Sequence, residues 1–374
     1  MSLPLPTTHR AVFLSGVGEP LQVKTLPTPQ PGPGSAVIRI LAATVRANAP
    51  EVFRNANSGH QLPVPFVPGF IAIGRIAAIG PDGTALIPDQ LVLFDPFIQG
   101  RDSPEARYIS GFMQGFNDES RKLSLEWRNS TYAEYARVPL ENCYLLDESR
   151  LFNRVEAGGL GYSLDDLTHI FSMLIPFGGL TDIDVKAGDT IIIAPATGRY
   201  GSAAAHVALA LGASVIAIGR NDTVLSQIEG VSPRLTAVCL TGDVDKDTAS
   251  LKAAAVRGVD AFWDMSPSAA GSSTHFRSCL NVLNSGARIS FMGVAAGVNI
   301  EYMDIVGRGL SIKGTWMCTK EQGKRLINMV ESGVLPLGAR AGMGPVQTFK
   351  IEQCEEALNA ASGNRAPGEI VLIP

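Results

Sequence analysis

One stretch constrains the fold more than any other: a strand, a glycine-bearing turn and a helix run together between residues 190 and 211. Residues 190–195 (Thr-Ile-Ile-Ile-Ala-Pro) read as a buried strand. Residues 202–211 are mostly small or apolar, a helix-like run that Gly212 stops. Between them lies Ala196-Thr197-Gly198-Arg199-Tyr200-Gly201, a G-x-G-x-x-G pattern with Ala in the first place. Gly198 lets the backbone approach a pyrophosphate, Gly201 lets the helix pack closely on the strand, and the helix N-terminus offers free N–H groups to the phosphates. The pattern alone is weak; its position between a buried strand and an apolar helix makes it a dinucleotide signature. The plainer reading is an α/β turn that uses glycine for geometry.

The same rhythm continues downstream. Strand-like segments at 214–218, 237–240, 261–263, 287–292 and 310–314 alternate with helical ones, the pattern of a doubly wound parallel sheet. The end of the second strand selects the cofactor. An NAD site places Asp or Glu there for the ribose hydroxyls, whereas this chain has Gly219-Arg220-Asn221, with Arg220 19 positions past Gly201. A carboxylate would repel a 2′-phosphate and an Arg can pair with it, so the expected cofactor is NADPH. The alternative is a solvated Arg at a strand end; Asp222 falls late for the ribose role.

The first 150 or so residues are rich in Pro and Gly, with strand-like runs at 36–41, 71–79 and 91–94, which suggests a β-barrel-like region. Residues 96–129 are polar and aperiodic and read as a long loop or lobe, although Phe97, Tyr108, Phe112, Phe116 and Trp127 fall within them. Residues 319–374 read as a helix, turns and a closing strand.

At 374 residues the chain has room for two or three domains. With 31 basic and 35 acidic residues, its net charge of −4 gives no basic footprint for a nucleic acid. No apolar run approaches a membrane span, and the first residues lack a basic head followed by an apolar core. The expectation is a cytoplasmic protein with a small-molecule substrate and no membrane or nucleic-acid partner. The five cysteines are scattered with no CxxC pair, so they are expected to be reduced and mostly in the core.

Further stretches carry a resemblance: Pro68-Gly69, Thr131-Tyr132-Ala133-Glu134-Tyr135, Lys186-Ala187-Gly188-Asp189, Met292-Gly293-Val294 and Ile312-Lys313-Gly314. Over nearly its full length the chain resembles the medium-chain dehydrogenases/reductases. The resemblance implies an α/β protein: a Rossmann doubly wound sheet (171–318) that binds NADP, and a GroES-like β-barrel catalytic domain (1–170 and 319–374), with the cofactor in the cleft between them. It also implies that Asp264 and Ser266 line the adenosine or bridge region, that Met292, Gly293 and Val294 lie by the nicotinamide, and that Trp316 closes the far side. A homodimer is common in the family and is expected here through the edge strand around 287–292.

The zinc-dependent members carry Cys and His ligands where this chain has Arg46 and Phe70; near the third ligand position it has Ile175. None of these ligates Zn²⁺. The 96–129 segment has no Cys for a structural zinc. No metal is expected, and the resemblance is closest to zinc-independent quinone and enoyl reductases.

Without a metal, something else must stabilise charge on the acceptor. Asn48 stands in the place of the family's relay Ser/Thr. Arg46 is either an oxyanion partner or half of a structural salt bridge filling the lost metal space. Glu51 is an acid/base candidate or a helix-face charge. Tyr162 is a proton donor or a packed ring, and Asp95 enters the cleft or forms an Asp-Pro turn. Phe70 and Trp316 could wall an apolar substrate cleft. Hydride transfer to a polarised C=C bond is the first expectation, and a quinone, carbonyl or imine acceptor the second. Other classes are a non-redox cyclase or isomerase and an NADPH-binding sensor.

Overall fold

The strand Ser35–Thr44 is the hub of the first half of the structure, a computed structural model that describes residues 4–364 and 366–374. Ten residues long and almost wholly buried, it pairs antiparallel with three neighbours: Ala72–Ile79, Tyr135–Pro139 and the C-terminal strand Glu369–Ile373. Register shifts at Val37/Ile38 and Ile40/Ala42 bend it, as closure of a sheet toward a barrel requires. The sheet order is Val346–Lys350, Glu369–Ile373, Ser35–Thr44, Ala72–Ile79, Leu91–Phe94, Cys143–Leu145, with Tyr135–Pro139 on the side. This is a GroES-like catalytic architecture, and both ends of the chain build it.

The segment 96–129 is structured rather than a long loop. Phe97–Gln99 and Arg107–Ile109 form a hairpin, and the helix Asp118–Glu126 follows, capped by Asn117. Ile98, Tyr108 and Trp127 close a small core of their own under Leu123. Tyr108 and Trp127 are therefore lobe packing, while Phe116 is exposed. Strands three residues long carry too little periodicity to be seen in sequence.

The chain divides into two compact units. Among the described residues, one takes 4–171, 346–364 and 369–374; the other takes 172–345 and 366–368. Residues 319–345 thus group with the second unit, where the helix Lys320–Glu331 is tied through Gln322 Nε2 to Asp182 Oδ1 at 2.9 Å.

The second unit holds a six-stranded parallel sheet in the order Leu235–Cys239, Ser214–Gly219, Thr190–Ala194, Val259–Asp264, Leu283–Phe291, Ser311–Gly314. In chain order that is 3-2-1-4-5-6, the Rossmann arrangement. Strands buried on both faces explain the unbroken Ile runs: Ile191, Ile192, Ile193, Ile216 and Ile218 are all buried. The strand Leu283–Phe291 lies inside the sheet, so the edge expected around 287–292 is instead Ser311–Gly314, whose four residues are all exposed. No helix among the described residues is long and apolar enough to cross a membrane. The cysteines are free, four of them buried; burial pushes the Cys143 thiol up to about 12 and that of Cys354 to about 11.

His206 lies buried in the helix Arg199–Ala210, and desolvation pulls its pKa from 6.5 down to about 4. The unfolded chain therefore binds this proton more tightly than the fold does. The associated stability is complete above pH 6.5 and is lost as the pH falls toward 4. Urea titrations at pH 7 and pH 4.5 should show His206→Gln losing about 2 kcal/mol less than wild type. Equal losses would contradict a buried neutral imidazole.

Candidate functional site

In an open α/β sheet, ligands bind where the strand order reverses, beyond the strands' C-terminal ends. Here that point lies between Thr190–Ala194 and Val259–Asp264. A Cβ on Gly201 would meet the Pro195 carbonyl oxygen at 1.9 Å, so only glycine allows the helix Arg199–Ala210 to sit this close to the strand. A Cβ on Gly198 would meet nothing within 4 Å, and no side chain caps this helix. Open space over an uncapped helix N-terminus fits a phosphate. Ala196 is buried, its N–H bonded to the Ile218 oxygen at 2.7 Å, and Thr197, Arg199 and Tyr200 are half-buried around the turn.

The turn lies beside the end of the second strand. Gly219 closes that strand and Arg220 is exposed. Asn221 is occupied locally: its Oδ1 accepts from Val224 N–H at 3.2 Å and caps the helix Asp222–Glu229. Arg220 is thus the group of this trio with a charge to offer a ligand.

Asp264 and Ser266 differ from expectation. Both side chains are buried and turned toward each other. Asp264 Oδ1 accepts from Ser266 N–H at 2.9 Å, and Oδ2 accepts from Ser266 Oγ at 2.8 Å and lies 3.0 Å from His275 Nε2. His275 Nδ1 lies 2.7 Å from Ser273 Oγ. The segment therefore presents backbone to any ligand, not these side chains. Its carbonyls in turn set the next strand end: Met292 N–H bonds to Asp264 O and Val294 N–H to Ser266 O, both at 2.9 Å. Gly293 and Val294 are exposed, and the Met292 sulfur accepts from Trp263 Nε1 at 3.2 Å. Trp316 is half-buried. Sequence reasoning missed His275 and the Trp263–Met292 contact; the one usable signal was a His opening a helix soon after the Asp264-Met265-Ser266 turn.

In the first unit the hub strand ends at Thr44, whose carbonyl accepts from Tyr132 Oη at 3.1 Å, and Arg46 follows. The Arg46 guanidinium lies 4.5 Å from the Phe70 ring centre and 4.3 Å from that of Phe112. Its Nε is buried with no hydrogen-bond partner, and no carboxylate pairs with it among the described residues. The salt-bridge reading of Arg46 is therefore overturned: two aromatic faces, worth about 1–2 kcal/mol each when partly desolvated, hold the charge. Both rings are pinned. Phe70 N–H donates to Thr131 Oγ1 at 3.0 Å, which donates back to Phe70 O at 2.8 Å. Gly69 N–H bonds to Gly111 O at 3.2 Å, and a Cβ on Gly111, whose φ is +73°, would lie 2.5 Å from Gly69 N. Two glycines meeting backbone to backbone bring the following Phe70 and Phe112 together, 6.0 Å between ring centres. His60 packs edge-on against Phe112 at 5.3 Å. Burial, with the Arg46 charge adding to it, holds this imidazole below its usual pKa and therefore neutral at pH 7.

Asn48 is exposed at the start of the helix Ala49–Arg54 and makes no side-chain capping bond. Its carboxamide, two residues from Arg46, is free to meet a ligand. Glu51 is a helix-face charge, accepting from Asn55 Nδ2 at 2.5 Å. Asp95 is taken up by structure: Oδ1 accepts from Phe97 N–H and Oδ2 from Tyr144 Oη, both at 3.0 Å. Tyr162 is half-buried, its N–H on the Leu151 carbonyl. Phe70 is 1% exposed, so it shapes the site from behind Arg46 rather than forming an open wall.

A zinc site does not fit these residues. The positions where the family's zinc-dependent members carry ligands hold Arg46 and Phe70, and among the described residues no three His, Cys, Asp or Glu side chains converge. In the second unit, His275→Ala would strip the Asp264 carboxylate of one buried partner. Urea unfolding should show a loss of about 2 kcal/mol; no loss would mean that the contact is incidental.

A family profile described as zinc-binding dehydrogenase matches residues 201–332. The quinone oxidoreductase of Sus scrofa is 24% identical over 367 residues, 97% of this chain and 96% of that one. The L-threonine 3-dehydrogenase of Anaeromyxobacter dehalogenans is 24% identical over 360 residues, 93% of each. A cobalt- and zinc-bound thermostable alcohol dehydrogenase from Pyrobaculum aerophilum shares the fold with a TM-score of 0.75 at 19% identity, covering 98% of this chain and all of that one. With a Rossmann sheet in one unit and a GroES-like sheet in the other, the chain has the alcohol dehydrogenase fold, and over nearly its full length it is similar to dehydrogenases and a quinone oxidoreductase.

Proposed function

We propose that the chain is an NADPH-dependent, zinc-independent reductase that delivers hydride to a C=C bond conjugated with a carbonyl group. The observation that carries this reading is the Arg46 guanidinium, fixed between two rings with no counter-carboxylate among the described residues, at a position where the family's zinc-dependent members carry a metal ligand. When bound, the reduced nicotinamide supplies the hydride. Arg46 holds the acceptor's carbonyl oxygen by hydrogen bonding. As hydride adds to the β-carbon, the π electrons move onto that oxygen, and a preorganised cation with one buried N–H unmet stabilises the enolate. Asn48 adds a neutral donor two residues away. Protonation of the α-carbon from water or Tyr162 completes the reduction. A quinone acceptor is the second reading, supported by the Sus scrofa relative; the same cation would stabilise its developing oxyanion.

Arg46→Leu should lower kcat for enone reduction by about 10²- to 10³-fold, the cost of losing one oxyanion donor, and leave the NADPH Kd unchanged. A kcat within twofold of wild type would remove Arg46 from the chemistry. Rates on one panel of enones, quinones, aldehydes and cyclic imines separate the acceptor readings.

The NADPH preference rests on Arg220, exposed at the strand end beside the turn. Arg220→Ala should weaken NADPH by about 10- to 100-fold, the worth of a charge-assisted contact to a phosphate, and NADH by less than about twofold. Equal weakening of both would point to NAD.

A further inference from the structure

We propose that the second unit carries a nucleophilic serine site, separate from hydride transfer, at which Ser273 takes the acyl group of a small carboxylic ester and passes it to water. Three side chains build it. Asp264 ends the strand Val259–Asp264 and is 2% exposed; His275 opens the helix His275–Val282 and is 5% exposed. Ser273, two residues before the imidazole, is exposed. Asp264 Oδ2 lies 3.0 Å from His275 Nε2, and His275 Nδ1 lies 2.7 Å from Ser273 Oγ. A carboxylate, an imidazole and a hydroxyl are thus linked in series, buried at the carboxylate and open to solvent at the hydroxyl.

The neighbouring bonds decide which ring nitrogen holds the proton. Ser266 Oγ donates to Asp264 Oδ2 at 2.8 Å and lies 3.2 Å from His275 Nε2. With its proton given to the carboxylate, that hydroxyl offers the imidazole only lone pairs. Nε2 therefore faces two acceptors and carries the ring proton. Nδ1 is then the lone-pair nitrogen, and the Ser273 hydroxyl donates to it. A base held in one tautomer by a buried carboxylate, with a hydroxyl on its other nitrogen, is the arrangement that activates a serine. The two ring nitrogens are exchanged relative to the chymotrypsin arrangement, which leaves the proton's route unchanged. The Phe276 ring lies against the imidazole, with ring centres 4.0 Å apart, and fixes its plane.

Attack on an ester also needs a place for negative charge. The helix His275–Val282 begins two residues after Ser273, and its N-cap Thr274 makes no side-chain capping bond. Its first N–H groups and the positive end of its dipole stand beside the nucleophile, where the carbonyl oxygen becomes negative. Ser273 Oγ bonds to the carbonyl carbon as its proton passes to Nδ1. The bond from that carbon to the alcohol oxygen breaks, and the alcohol leaves with the proton. Water then attacks the acyl-serine by the same route, releasing the carboxylic acid and restoring the hydroxyl. A Cβ on Gly271 would meet the Ala296 carbonyl oxygen at 2.4 Å, so the segment 295–297 lies against the turn before Ser273. Ser272, Ala296 and Gly297 are exposed. An approach this open suits a short acyl group better than a long apolar chain.

The test is a stopped-flow reaction of p-nitrophenyl acetate with the full chain, with peptide mass spectrometry on protein quenched after the first turnover. A burst of about one p-nitrophenol per chain should appear, with the acetyl group on Ser273. Ser273→Ala should abolish both, His275→Gln should slow acylation about 100-fold or more, and Ser272→Ala should change neither. Asp264 is a positioning residue, so its readout is the imidazole itself. Nitrogen-15 NMR should find His275 protonated on Nε2 in the wild type, and Asp264→Asn should lose that tautomer together with the burst. Circular dichroism establishes that each variant folds; if His275→Gln or Asp264→Asn does not, Ser273→Ala and the wild-type tautomer decide. A burst that persists in Ser273→Ala, acetyl groups on lysines or on the exposed Cys239 with none on Ser273, or an imidazole protonated on Nδ1 alone would each overturn the proposal.

Discussion

A positive charge taken partly out of water needs compensation, and around Arg46 that compensation is aromatic. A carboxylate partner would have cancelled the charge and left it nothing to offer a ligand. Two ring faces stabilise the guanidinium while leaving its N–H edges without acceptors. Much of the surrounding structure serves that placement. The hub strand delivers Arg46 from its buried end, Tyr132 ties down the Thr44 carbonyl, and Thr131 clamps Phe70 from both sides. The close approach of Gly69 and Gly111 brings in the second ring. The neutral His60 completes the group without adding a competing charge.

The nucleotide-type turn follows a different logic. There the ligand-facing groups are backbone, and side chains act by setting the path of the chain. Gly201 closes the distance between helix and strand, and Gly198 leaves room over the helix end. Asp264, Ser266 and His275 bond among themselves, and the segment's carbonyls then fix the Met292–Val294 stretch. A buried carboxylate satisfied in this way makes a rigid corner beside the point where the sheet reverses.

The parts legible in the sequence were those encoded locally. The strand-turn-helix at 190–211 signals itself through adjacent residues, and the parallel strands through unbroken apolar runs. What escaped were contacts between distant positions. Nothing in the sequence says that Phe112 will stand over Arg46, because a lobe without clear periodicity carries it there. The Asp264–His275 contact spans a turn and a helix start. The hairpin and helix within 96–129 were too short to leave a period. Asp95 and Glu51 were ambiguous by residue type, and only their partners show them to be structural.

The claim most exposed to experiment is that a ring-bound arginine, not a metal ion, carries the developing negative charge. The direct measurement is the single-turnover rate of NADPH oxidation by an enone, before and after exhaustive chelation, with metal content determined on the same samples. The account predicts an unchanged rate in protein free of zinc. A rate that collapses on chelation and returns with added Zn²⁺ would contradict it.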